Sequence, residues 1–243
     1  MKISILIPVY NEAQTIGEIL SRVQNAALPA NCTKEIIVID DGSTDGTAAL
    51  LKANASARNM RVLRSDRNRG KGAAIRMGLA IVTGDAVLIQ DGDLEYDPND
   101  YLALLMPIVR GNADIVYGSR FMRMPTAMTR RNNIANRLLT ATTKLVYGAK
   151  LSDQATGYKV FRSNILRSLD LRCEGFEFCS EVTAKSLRAG YRIHEVPISY
   201  HARTLAEGKK IRPKDGPKLW WTLVRLRFAG TSTTPWEAER SSL

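Results

Sequence analysis

The first half of the chain alternates short apolar runs with helical spacings. Lys2–Val9 and Glu35–Ile39 are nearly continuous apolar stretches rich in Ile and Val, as expected of parallel strands covered on both faces. Between them, Ile16, Ile19, Leu20 and Val23 fall on one helical face and predict a helix over Glu12–Gln24. Ser43-Thr44-Asp45 then supplies a cap for a helix over residues 45–56. Arg61–Leu63 reads as a short strand, Gly72–Ile81 as a helix and Ala86–Gln90 as a further strand. Repeated strand–helix units predict an α/β fold with a mostly parallel central sheet flanked by helices. Beyond residue 119 the periodicity is less regular. Asn132–Tyr147 and Glu181–Ala189 keep helical spacing, and Ile193–Tyr200, which contains Pro197, reads as an edge strand. Residues 231–243, rich in Ser and Thr, read as a disordered tail. No repeat or linker is visible, so residues 1–230 are expected to form one domain.

Three of the predicted strands run into polar loops: Pro8-Val-Tyr-Asn-Glu12, Asp40-Asp-Gly-Ser-Thr-Asp-Gly46 and Asp91-Gly-Asp-Leu-Glu95. Ligands of open α/β sheets bind beyond the carboxyl ends of strands, so this convergence marks the candidate site. Asp91, Asp93 and Glu95 place hard oxygens on alternate residues, which suits Mg²⁺ or Mn²⁺ held by few carboxylates plus substrate phosphates. The same spacing also fits an ordinary turn at a strand end. Asp45 reads as a turn or cap residue. Neither a GxGxxG nor a Walker loop is present, which argues against dinucleotide and ATPase readings.

Length and composition add little: 243 residues, 44% apolar and 24% charged, suit one sizeable globular domain. No segment has the layout of a signal peptide or a run long enough to span a membrane. Cys32, Cys173 and Cys179 lack zinc spacing and read as free thiols of a reducing compartment, with the cytoplasm as default. Charge distribution is more telling. Residues 1–118 carry 12 Lys and Arg against 14 Asp and Glu, whereas residues 119–230 carry 22 against 8. A basic second half implies an anionic partner: phosphorylated substrate, membrane surface or nucleic acid. No recognised nucleic-acid motif accompanies it, so nucleic acid is not expected. Met122, Met124 and Met128, interleaved with Arg123, Arg130 and Arg131, fit either core filling or a docking surface.

The motifs occur in the order seen in family-2 glycosyltransferases of the GT-A fold. They are the three strand-end loops, Asn68-Arg-Gly-Lys-Gly72, Gly118-Ser-Arg-Phe121, Asp153-x-x-Thr-Gly-Tyr-Lys159, Glu177 to Glu181, Gly190-Tyr-x-Ile-x-Glu-Val-Pro197 and Arg203 to Lys209. The chain resembles the polyprenyl-phosphate branch of that family over roughly residues 3–228. The resemblance implies a Rossmann-like nucleotide-sugar half (1–118) and an acceptor-side, membrane-facing half (119–230). It implies that Pro8, Tyr10, Glu12, Ile39 and Asp41 hold the base and ribose, where carboxylates accept strong hydrogen bonds. Asp91, Gly92 and Asp93 would meet the sugar nucleotide, with Asp91, Asp93 and Glu95 on Mg²⁺ or Mn²⁺. Many relatives carry Gln at the position of Glu95. Arg120, Arg203 and Lys209 would gather phosphates of donor or acceptor, Arg120 joining Asp91 and Asp93 as catalytic. Lys71 is a further diphosphate candidate, and Lys210 a basic neighbour.

The implied reaction is inverting transfer of a hexose from a nucleoside-diphosphate sugar, GDP-mannose or UDP-glucose, to a dolichyl or undecaprenyl phosphate. An anionic acceptor needs no strong general base. The alternative is a soluble family-2 transferase acting on a sugar or small-molecule hydroxyl, which would need a base such as Glu177 or Glu181. Residues 218–228, with Trp and Leu beside Arg225 and Arg227, fit either a helix in the headgroup zone of an anionic membrane or one packed on the domain. The expected location is therefore peripheral, at the cytoplasmic membrane face, reached directly or through a membrane-anchoring protein.

Overall fold

A computed structural model of the chain describes residues 1–54, 59–123, 128–203, 210 and 215–229. Its first half holds β1 (Lys2–Val9), α1 (Ile16–Asn25), β2 (Thr33–Asp40), α2 (Thr47–Asn54), β3 (Met60–Arg64), α3 (Lys71–Leu79) and β4 (Ala86–Ile89). A short 3₁₀ turn, Pro98–Asp100, leads into α4 (Tyr101–Val109), followed by β5 (Ile115–Ser119), α5 (Arg130–Tyr147), β6 (Lys159–Arg162) and α6 (Ser163–Ser168). α7 (Phe178–Arg188), β7 (Ile193–Pro197) and α8 (Asp215–Phe228) complete the described elements. The strands form one seven-stranded sheet in the order β3-β2-β1-β4-β6-β5-β7. β3, β2, β1 and β4 are parallel, β6 runs against both of its neighbours, and β7 is parallel to β5. Every strand except β6 therefore ends at the same edge.

The continuous apolar strands are buried on both faces because helices cover both. Ile3, Ile5 and Ile7 of β1 pack with Ile16, Ile19, Leu20 and Val23 of α1 and Leu104, Leu105 and Ile108 of α4. Leu6, Ile37, Ile39 and Val87 face the other way, onto Ala74 and Ile75 of α3, Leu166 of α6 and Val182 of α7. Leu219, Leu223 and Leu226 of α8 close a third cluster with Leu139 of α5 and Ala184 of α7.

Several boundaries differ from the periodicity. α1 starts at Ile16, because Asn11 is left-handed (φ 51°) and Glu12 begins a turn whose carbonyl accepts the amides of Thr15 and Ile16. α2 spans Thr47–Asn54, with Asp45 accepting the Thr47 amide at 3.0 Å, and α7 begins three residues earlier than its spacing suggests. β7 is an edge strand, as Pro197 predicts. The expected tail over 231–243 lies outside the described residues. Among those that are described, no helix is long and apolar enough to cross a membrane. At the amino-terminal edge of the sheet, Glu35 accepts the Ser4 hydroxyl at 2.5 Å and the Thr83 amide and hydroxyl, each at 2.8 Å. Lys2 and Arg61 pair with it at 2.9 and 3.1 Å.

Candidate active site

The carboxyl-terminal edge opens into a cleft of about 570 Å³. Its first wall is the β1–α1 loop. Left-handed Asn11 directs its Oδ1 to the Thr44 amide at 2.8 Å and donates its own amide to Ser43 Oγ at 2.9 Å. The amides of Glu12 and Ala13 donate to Thr47 Oγ1 and Asp45 Oδ2, at 2.9 and 3.0 Å. Asp45 thus does the predicted turn work and also staples the two loops together. The result presents Pro8, Tyr10 and the Glu12 carboxylate to the cleft. Asp41, at the end of β2, accepts the backbone amides of Arg69 and Gly70 at 3.0 and 2.6 Å, so it fixes the loop that carries Asn68 and Lys71 into the same wall. Burial pushes its carboxyl pKa up.

Asp91, Gly92, Asp93 and Glu95 follow β4 across the cleft floor. Cations from other segments meet the carboxylates. Lys71 Nζ pairs with Asp91; Arg203 bridges Asp93 at 2.6 Å and Glu12 at 3.1 Å; Lys210 pairs with Glu12. Burial works against the Lys71 charge, yet Asp91 outweighs it and the ammonium pKa rises. For Asp93, burial and the neighbouring Asp91 charge win over Arg203, and its pKa is pushed up to about 7. Such a carboxylate gains from any further cation that reaches it. Close packing is part of the design: a β-carbon at Gly157 would collide with Asp91 Oδ2 and the Tyr96 ring.

Arg120, after β5, lines the cleft but is already held. Asp153, fully buried, grips it twice, at 2.7 Å through Nε and 2.8 Å through Nη2, and also accepts its amide at 3.0 Å. Glu195 of β7 accepts the amides of Ser152 and Asp153 at 2.6 and 2.9 Å, fixing that loop. The Arg120 guanidinium stands 5.1 Å from the Tyr200 ring centre. Met128, Asn132, Ala135 and Asn136 at α5, with Ala155, Phe176 and Leu219, form a less polar wall.

Of the expected site residues, Pro8, Tyr10, Glu12, Asp41, Lys71, Asp91, Gly92, Asp93, Glu95, Arg120 and Arg203 all line this one cleft. Ile39 does not: its side chain is fully buried in the core beneath the sheet. Lys209 lies outside the described residues, while Lys210, expected only as a neighbour, reaches Glu12. Glu177 and Glu181 are absent from the lining; Glu181 caps the amides of Arg172 and Cys173, and Glu177 pairs with Lys218 at 2.7 Å. The sequence reading missed Tyr96, Asp153, Gly157, Glu195 and Tyr200, three of them inside quoted motifs that carried no assigned role. Hard carboxylate oxygens suit Mg²⁺ or Mn²⁺. Among the described residues, however, no three Asp, Glu, His or Cys side chains are grouped to hold a metal. Asp91, Asp93 and Glu95 bring such oxygens to the cleft floor, where substrate phosphates would complete a metal's shell.

The mostly parallel sheet, with the loops at its carboxyl-terminal edge building the cleft, has the GT-A-type architecture. The glycosyl transferase family 2 profile matches residues 4–170, and the chain belongs to that family. Glycosyltransferase AglJ of Haloferax volcanii is 33% identical over 92% of this chain and 71% of its own length. Dodecaprenyl-phosphate galacturonate synthase of Rhizobium johnstonii (29% identical) and dolichol-phosphate mannosyltransferase of Pyrococcus furiosus (26%) match 84% and 86% of the chain. The chain spans only 60% and 59% of the lengths of these two. Among solved structures, glucosyl-3-phosphoglycerate synthase of Mycobacterium tuberculosis, in complex with Mn²⁺, UDP-glucose and phosphoglyceric acid, superposes with a TM-score of 0.71. That match, at 22% identity, covers 95% of this chain and 81% of the other and shows the shared fold.

Proposed function

We propose that the chain is an inverting hexosyltransferase that moves a sugar from a nucleoside diphosphate, GDP-mannose or UDP-glucose, to a polyprenyl phosphate. The observation that carries this reading is the composition of the cleft wall. Lys71 and Arg203 pair with Asp91 and Asp93, Lys210 pairs with Glu12, and Glu177 and Glu181, the bases expected for a hydroxyl acceptor, are not among the residues that line the cleft. Relatives named for dodecaprenyl, dolichol and polyprenol phosphate chemistry support the same acceptor class.

In this reading Pro8, Tyr10, Glu12 and Asp41 receive the nucleoside, and Lys71 takes the diphosphate. Asp91 and Asp93 would hold a Mg²⁺ or Mn²⁺ ion, which supplies charge neutralisation to the departing nucleoside diphosphate when bound. Arg203 and Lys210, with Lys209, gather the acceptor phosphate. They exchange carboxylate partners for phosphate oxygens, which leaves the acidic groups free. Arg120, oriented by Asp153, sets a fixed positive charge in the cleft wall, where pre-oriented charge costs no reorganisation during the reaction. The acceptor phosphate is already an anion and attacks the anomeric carbon from the face opposite the leaving group. An α-linked donor then gives a β-linked polyprenyl phosphate sugar.

The test is transfer from labelled GDP-mannose and UDP-glucose to a short polyprenyl phosphate, with Mg²⁺ or Mn²⁺ and with EDTA. Label in the lipid phase that EDTA abolishes is the expected result, and Asp93→Asn lowers kcat/KM by roughly 10²-fold or more. Label recovered on a hydroxyl acceptor instead, or an α-linked lipid product, would overturn the reading.

A further inference from the structure

Tyr96 lines the cleft with its polar end only half used. The residue is almost fully buried, and its hydroxyl accepts the Gly157 amide at 2.7 Å. A phenol can donate as well as accept, and among the described residues the Tyr96 proton meets no acceptor. Packing keeps the ring where it is. Its centre lies 4.7 Å from that of Tyr158 and 5.3 Å from that of Tyr200, and the backbones of Tyr96 and Tyr200 form an antiparallel bridge. Gly157 is pressed against the same ring: a β-carbon there would stand 2.8 Å from it.

The neighbours of this hydroxyl say what it could meet. A Gly157 β-carbon would also collide with Asp91 Oδ2, so the phenol adjoins the acidic loop, and it lies within electrostatic reach of Arg120. Arg120 has a spare donor of its own. Asp153 takes its Nε and Nη2, while Nη1 meets no acceptor among the described residues. Two residues of one cleft lining, each held by a partner of its own, therefore each keep an unused donor. A buried donor without an acceptor is costly and rare, so a ligand atom is its natural partner. A phosphate oxygen takes charge-assisted bonds from a hydroxyl and a guanidinium together, whereas a neutral sugar hydroxyl draws less from the guanidinium.

We propose that the Tyr96 hydroxyl binds substrate directly, donating to a phosphate oxygen in the cleft beside Arg120. The source of that phosphate rests on the transferase reading above: it is either the diphosphate of the donor or the phosphate of the acceptor.

Binding without turnover tests it. Dissociation constants for GDP and UDP with Mn²⁺, for GDP-mannose and for a short polyprenyl phosphate are compared in wild type, Tyr96→Phe and Tyr158→Phe. Loss of one hydrogen bond to a charged group weakens binding about tenfold or more. Tyr96→Phe shows that loss for GDP and UDP if the donor's diphosphate is the partner, and for polyprenyl phosphate if the acceptor's is. Tyr158→Phe removes a hydroxyl of the same ring cluster, bonded to Gln90 at 2.6 Å and outside the cleft lining, and keeps wild-type affinities. Exchange of the Arg120 amide, which reports the hold of Asp153 on that loop, stays within about twofold of wild type in Tyr96→Phe. Unchanged affinity for every ligand would overturn the proposal. A loss confined to GDP-mannose, which places the phenol on a sugar hydroxyl, would do the same, as would an equal loss in Tyr158→Phe. Faster Arg120 exchange alongside weaker binding also overturns it, since the effect then runs through the loop. If Tyr96→Phe does not fold, the Gly157 amide resonance of wild type decides. A phenol that begins to donate becomes a stronger acceptor, so this resonance moves on titration with the phosphate ligand, and an unmoved one refutes the contact. Wild-type protein that binds neither nucleotide nor lipid phosphate would remove the transferase reading, and titration with pyrophosphate, followed at the same resonance, then decides for Tyr96.

Discussion

Lys159 shows how far a single side chain can depart from its usual setting. It begins β6, is almost wholly buried, donates to the Gln154 carbonyl at 3.0 Å and stands 3.5 Å from the Tyr117 ring centre. Burial pulls its pKa down to about 8. Between that value and the unfolded lysine value of about 10.4, the unfolded chain binds the extra proton, so folding stability rises with pH across this window. Lys159→Met abolishes the rise; melting of wild type and variant at pH 7.5 and 9.5 reads the difference directly. No such environment is legible in the sequence, where Lys159 is an ordinary charge at a motif's end. The site residues were more readable, because acidic and glycine-rich strand ends can only converge at one edge of a parallel sheet. Ile39 lies one residue before the end of β2, and its side chain packs against α3 instead of lining the cleft. Asp153 and Glu195 were invisible because their roles run through the backbone amides and guanidinium of segments far away in the chain.

The helices of the second half divide their faces between the domain and solvent. α8 buries Leu219, Leu223 and Leu226 but leaves Trp221 57% and Phe228 80% exposed, so the two readings of residues 218–228 are compatible rather than opposed. α5 packs beside it through Tyr147 to the Leu223 carbonyl at 2.6 Å and Trp220 to Thr142 at 3.1 Å, and exposes Ile134, Leu138 and Leu145. Arg130, Arg131, Arg225 and Arg227 belong to the same pair of helices. Exposed apolar side chains with neighbouring arginines suit an anionic headgroup zone. Flotation with vesicles containing anionic lipid is therefore expected to carry the protein. Trp221→Ala combined with Leu138→Ala weakens that binding about tenfold or more, by the lost apolar burial, while leaving the melting temperature nearly unchanged. Wild-type protein that stays with the soluble fraction would refute the membrane contact. Long periodic helices such as α5 were predictable for the reason that lets them form, a repeated spacing over many residues. β5 and β6, five and four residues long, were not predicted: runs that short leave periodicity nothing to repeat, and their strand character comes from the partners they meet.

Across the molecule, the sheet separates stability from chemistry. The Glu35 cluster braces the amino-terminal ends of β1, β2 and the entry to β4, at the edge opposite the cleft. Burial opposes its charge, but hydrogen bonds from Ser4, Thr83 and Lys2 prevail and hold its pKa at about 2. Because this value lies below the unfolded one of about 4.3, the stabilisation is complete above that pH and is lost as pH falls towards 2. Glu35→Gln is expected to cost roughly 2 kcal/mol at pH 7 and to flatten the acid limb of the stability profile, with the donor KM unaltered. Chemical denaturation from pH 2.5 to 7 alongside steady-state kinetics would show whether the two edges are as independent as the fold suggests. The position of β6 has a consequence for the newborn chain. It fills the gap between β4 and β5 but is synthesised after both. A nascent polypeptide on the ribosome therefore displays β4, four apolar residues with an open hydrogen-bonding edge, until about seventy further residues have emerged. For that interval the growing chain carries a ready template for pairing with other chains, and its safe birth depends on how quickly, and how well shielded, Lys159–Arg162 arrives.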